Sequence, residues 1–126
     1  MRYLALIAHG SRREASNDEV RRLAQALERR AGDTLGGVRC GFLELAEPSI
    51  PDVIGHCVEA GASEVLVMPY FLSAGRHVAE DVPREVAIAT KRYPGISIDV
   101  MEYLGADAGL LELMLAAVHR RQSTPA

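Results

Sequence analysis

Tyr3-Leu4-Ala5-Leu6-Ile7-Ala8-His9-Gly10-Ser11-Arg12-Arg13 is an unbroken apolar run that stops at a histidine, a glycine and a polar stretch. Such a run, without alternation and bounded by turn residues, reads as a strand buried on both faces, and that burial calls for helices above and below its sheet. Runs of the same kind lie near Val38 to Leu43, Val65 to Tyr70 and Ile96 to Met101. Helical patterns alternate with them. In the first, Val20, Leu23, Ala24, Leu27 and Ala31 recur at helical spacing, with Ser16 and Glu19 expected as a capping box and Gly32 as the stop. In the second, Ile50, Val53, Ile54, Cys57 and Val58 form a stripe behind Ser49 as cap and Pro51 in the first turn, and His56 falls beside the stripe.

The third helical pattern runs from about Val78 to Arg92, with Val82, Val86 and Ala89 inward and Pro94-Gly95 after it. The fourth, from about Ala108 to Arg120, is apolar almost all round. Leu110, Leu111, Leu113, Met114, Leu115 and Val118 cannot all face one sheet, so part of this helix is expected to meet a partner subunit or another core element. The regular alternation predicts an α/β fold: a single three-layer, flavodoxin-like domain with a four-stranded parallel sheet in the order 2-1-3-4 and helices on both faces. Its boundaries are read as 1–121, with 122–126 a frayed tail. In this arrangement the ligand crevice lies outside the carboxyl ends of strands one and three, where the winding reverses.

Composition narrows the function. With 126 residues, 48% of them hydrophobic, the chain suits one core, and a formal net charge of −3 gives no general attraction to nucleic acid or to a membrane. An acidic ligand would have to be met by a local basic cluster. Cys40 and Cys57, placed on a buried strand and a buried helix face, suit reduced thiols, and the first apolar run is too short for a signal peptide or a membrane span. A cytoplasmic location is expected.

The candidate chemistry collects at one sheet edge. His9 follows the first strand directly, and Gly10 lets the backbone turn sharply and approach a ligand. His77 is expected in the loop after the third strand, and Glu44 closes the second strand in Phe42-Leu43-Glu44. Two imidazoles and a carboxylate suit a divalent first-row metal, and open coordination positions would permit ligand exchange. Arg12, Arg13 and Arg76 flank the crevice as candidates for carboxylate recognition, and Ser11 either contacts a ligand or shapes the turn. His56 and His119 lie on helix bodies and read as solvated. The serine after His9-Gly10 lacks a nucleophile-elbow context, and neither a Walker loop nor a dinucleotide fingerprint is present, so hydrolase and nucleotide chemistry lack support.

His9-Gly10-Ser11-Arg12 with Asn17 following, Phe42-Leu43-Glu44, and Pro69-Tyr70-Phe71-Leu72 leading to Gly75-Arg76-His77 and Asp81-Val82-Pro83 together resemble the short CbiX/SirB class of sirohydrochlorin chelatases over nearly the whole chain. The resemblance implies an ATP-independent lyase that inserts cobalt, with iron next and nickel also open, into sirohydrochlorin for cobalamin or siroheme biosynthesis. The divalent metal would be a substrate, and no organic cofactor is expected. By the same resemblance His9 and His77 are metal ligands, Glu44 is a carboxylate beside them, and any of the three could be the base. Longer relatives place two such domains across the tetrapyrrole cleft, so a homodimer is implied. The competing expectation is a carrier of the same fold that binds metal or tetrapyrrole without turnover.

Overall fold

The computed structural model describes residues 1–123, with the side chains of His77, Gln122 and Ser123 outside that description. Strands β1 (Arg2–Ala8), β2 (Gly37–Phe42), β3 (Glu64–Pro69) and β4 (Ser97–Val100) form one parallel sheet in the order β2-β1-β3-β4. Each is followed by a helix: α1 (Glu14–Ala31), α2 (Ile50–Glu59), α3 (Arg76–Arg92) and α4 (Gly109–Ser123). The expected α/β class and strand order are therefore found. Residues 124–126 of the expected tail lie outside the described residues, and α4 continues two residues past the boundary drawn at 121.

β1 is hydrogen-bonded on both sides, and every residue from Tyr3 to Ala8 is buried. The two-residue period of a strand divides its side chains between two cores. Tyr3, Ala5 and Ile7 join Ile50, Val53, Ile54 and Cys57 of α2 and Val82, Val86 and Ala89 of α3. Leu4 and Leu6 join Val38, Ala24 of α1 and the partly buried Val20, Leu23 and Leu27. Full burial of one such aliphatic side chain is worth roughly 1.5–3 kcal/mol, so the sheet is held chiefly by these two layers.

Local signals succeeded where side chains reach the backbone. Ser49 caps α2 by accepting the Asp52 amide at 3.3 Å, and Pro51 occupies the first turn, where its missing N–H costs nothing. The capping box expected at Ser16 and Glu19 does not form. The helix begins three residues earlier, after an extended Arg13 whose carbonyl accepts the Ser16 amide at 3.0 Å. α3 likewise starts at Arg76, which moves His77 from the expected loop into the first turn of the helix.

Two of these strands and helices have no buried residue among those described. β4 has only four residues, none fully buried, because it is an edge strand and α4 does not fold over it. On α4, Leu111 is 66% exposed and Leu113 59% exposed. A groove of about 710 Å³ separates this helix from the sheet and α1, with Leu6, Leu23, Leu27, Met68, Leu110 and Leu113 among its walls. Among the described residues no helix is long and apolar enough to cross a membrane. Cys40 and Cys57 are both free thiols, and burial pushes the Cys57 thiol up to about 11.

Candidate functional site

His9 is the first residue beyond β1, at the carboxyl edge where the loops after β1, β2 and β3 meet. The ladders continue past the strands: the Leu43 amide donates to Ala8 at 2.9 Å, the Glu44 amide to His9 at 3.0 Å and the Tyr70 amide to Ile7 at 2.7 Å. These bonds hold Glu44 level with His9 on one side and the Tyr70-Phe71 segment on the other. Gly10 then turns with φ of 97°, and a Cβ at that position would collide with the Glu44 carbonyl oxygen. Only glycine lets the two loops touch there.

The side chains meet as the backbone suggests. His9 Nε2 lies 3.0 Å from Glu44 Oε1, and the two side chains are 48% and 51% exposed. Phe71 stands edge-on to the imidazole, with ring centroids 6.4 Å apart and planes at 90°. When Nε2 carries the proton it donates to Glu44 and Nδ1 keeps its lone pair; when it does not, a nitrogen and an oxygen donor stand side by side 3.0 Å apart. Two donors each about 2.1 Å from a cation and about 90° apart are about 3.0 Å from one another, so the pair has the separation of two adjacent metal ligands. Among the described residues no group of three or more histidine, cysteine or acidic side chains is placed to hold a metal.

His77 enters this picture through its backbone alone. It sits in the first turn of α3, behind residues 70–75 and the central β1–β3 pairing, while its side chain lies outside the described residues. No acidic residue occupies that first turn, and Gly75 offers no side-chain cap, so the amide-rich helix end stays electropositive. Arg12 and Arg13 are exposed in the turn before α1, and Arg76 is 92% exposed with a long 3.5 Å ion pair to Glu80. Ser11 shapes the turn, its hydroxyl accepting the Arg13 amide at 3.0 Å. His56 and His119 are exposed on their helices, as read from sequence.

Asn17 and Phe71 were not singled out for a role. Asn17 is a buried amide whose Oδ1 accepts the Ser11 amide at 2.9 Å and whose Nδ2 donates to the Ser11 carbonyl at 2.8 Å. A readable signal existed, because Asn17 is in register with Val20, Ala24, Leu27 and Ala31 and thus sits as a polar residue on the inward stripe. Beside the edge, an apolar groove of about 350 Å³ runs between α3 and the end of β4, lined by Pro69, Ala74, Val78, Val82, Met101 and Tyr103 among others. His9 and Glu44 line neither this groove nor the one under α4.

Comparison with known proteins adds to this geometry. The CbiX family model matches residues 3–121. The chloroplastic sirohydrochlorin ferrochelatase of Arabidopsis thaliana is 37% identical over 111 residues, covering 88% of this chain and 48% of that protein. The sirohydrochlorin cobaltochelatase of Methanococcus maripaludis is 36% identical over 88 residues, 70% of this chain and 60% of that one. The chain thus spans about half to three fifths of the length of these relatives. The crystal structure of the sirohydrochlorin chelatase SirB from Bacillus subtilis subspecies spizizenii in complex with cobalt superposes with a TM-score of 0.80 at 30% identity, over 96% of this chain and 50% of that one.

Proposed function

The chain belongs to the CbiX family, and on that premise we propose that it inserts a divalent metal into sirohydrochlorin, with cobalt the favoured ion and iron the next. The observation that carries the reading is the His9–Glu44 pair, 3.0 Å apart at the carboxyl edge of the central strand, which sets a carboxylate directly beside an imidazole able to bind a metal. In this reading His9 and His77 hold the incoming ion. Glu44 receives one of the two pyrrole protons released as the ring nitrogens take the metal, the other passing to solvent, a general-base contribution of about 10²–10⁴ in rate. Arg12, Arg13 and Arg76, with the open amide end of α3, meet the carboxylates of the acidic tetrapyrrole, while Ser11 keeps the turn that presents them. Neither ATP nor an organic cofactor has a role, and nickel is the third ion to be tried.

A half-exposed ligand pair on an open edge needs a second surface to exclude water, and the bare leucine face of α4 needs a cover. Both are met by a homodimer of this chain acting in the cytoplasm, without nucleic acid or membrane. The test is the absorption spectrum of sirohydrochlorin mixed with the protein and cobalt, iron or nickel. Wild type accelerates the spectral change over the uncatalysed mixture with at least one metal, and His9→Ala removes most of that acceleration. Acceleration with no metal refutes the proposal. Glu44→Gln separates a chelatase from a carrier, because only turnover needs the base: the rate falls by about a hundredfold or more while metal binding persists.

A further inference from the structure

We propose that Asn17 is a positioning residue, whose buried amide clamps the backbone of Ser11 from both sides and thereby fixes the turn that presents His9 for metal capture. This inference rests on the reading of His9 and Glu44 given above.

The mechanics follow from where freedom remains in the loop. His9 is anchored upstream by β1, but Gly10, at φ of 97°, is a flexible joint directly after it. Past that joint the chain must be fixed again, or the Glu44 amide on the His9 carbonyl is left to hold the turn by itself. Ser11 is the first residue that can do so, and both of its backbone polar groups are bound by one side chain: N–H to Asn17 Oδ1 at 2.9 Å, and C=O from Asn17 Nδ2 at 2.8 Å. Asn17 is 2% exposed, so its amide is shielded from bulk water on the side away from Ser11.

The clamp is itself part of a closed circuit. Asn17 Nδ2 also reaches Glu14 Oε2 at 3.3 Å, and Arg21 binds the same Glu14 carboxylate and Asp18. The Arg21 guanidinium lies 5.3 Å from the centroid of the Phe42 ring, and Phe42 is two residues before Glu44. One path through side chains of α1 therefore connects the strand end that carries Glu44 with the turn that carries His9. A second path, the Glu44 amide on the His9 carbonyl at 3.0 Å, closes the ring. A helix cap alone would not require a donor and an acceptor aimed at one residue upstream of the turn.

Steady-state chelation at varied cobalt, and separately at varied sirohydrochlorin, tests the clamp on the full-length protein. Asn17→Ala is expected to raise KM for cobalt about tenfold or more while KM for sirohydrochlorin stays within about twofold. Cobalt binding without tetrapyrrole should weaken by a similar factor. Asn17→Asp, which fills the same space but loses the donor to Ser11, should show the same split. Val20→Ala, a loss of packing on the same helix, should lower thermal stability without the split. His9→Ala run alongside separates two failures. If His9→Ala binds cobalt like wild type, the reading of the site is wrong and the clamp falls with it. If His9→Ala loses cobalt while both Asn17 variants keep wild-type KM, or if neither Asn17 variant folds, only the positioning role is overturned.

Discussion

The two faces of the sheet each have apolar residues to cover and are finished differently. On the face covered by α2 and α3, Ile54, Val53, Cys57, Val65, Val67 and Ala89 have no exposure at all. On the face covered by α1, the apolar cluster has only four buried members, and α4 stands off across a groove of about 710 Å³ with Leu111, Leu113 and Leu115 more than half exposed. Hydrophobic sequence alone does not close a core; a stripe of the right width must face one surface. α2 confines its apolar residues to such a stripe and seats, whereas α4 spreads them around its circumference and keeps a face bare whichever way it turns.

The contrast can be broken most strongly at Ile54. Removing its buried branches in Ile54→Ala should cost about 2–5 kcal/mol in urea unfolding, whereas Leu113→Ala, on the unfilled groove, should stay within about 1 kcal/mol. Equal losses would mean that α4 is as well packed as α2. An alkaline titration comes next. The Cys57 thiol sits at about 11 in the fold against an ordinary 9.0, so below pH 9 both states hold the proton and its contribution is intact. Between about pH 9 and 11 the unfolded chain ionises first, and stability should fall by about 2–3 kcal/mol more than in Cys57→Ala. Parallel curves for the two proteins would place the thiol in contact with water. The smallest effect concerns the bare face: Leu111→Glu with Leu115→Glu should weaken self-association at least about tenfold in sedimentation while leaving monomer stability nearly unchanged. No change in association would move the expected interface elsewhere.

The same two faces mark how far sequence could be read. Strand order, helix alternation and the placement of His9 and Glu44 at one edge followed from apolar periodicity and the winding rule, because those signals are regional and repeat many times. What escaped was decided by single contacts. Ser16 and Glu19 carry the pattern of a capping box, but Arg13 in extended backbone already ends the turn, and the Ser11–Asn17 clamp does the work of ordering the entry. β4 looked like its neighbours in composition, yet its burial depended on whether a helix arrived to cover it. Phe71 acquires its place beside His9 only through the β1–β3 pairing, which joins residues far apart in the chain.

Because β1 pairs with β2 and β3 in parallel, neither neighbour is joined to it by a hairpin, and each reaches its register only after a helical crossover has docked. A slip of one residue would shift Glu44 along the sheet by about 3.3 Å and turn the side chains of its strand to the opposite layer. The His9–Glu44 pair therefore comes together only once the crossover through α1 has docked and set the β1–β2 register. On the proposed reading of the site, a copy in which α1 has not docked holds His9 and Glu44 apart and has no fixed bite to offer a metal ion.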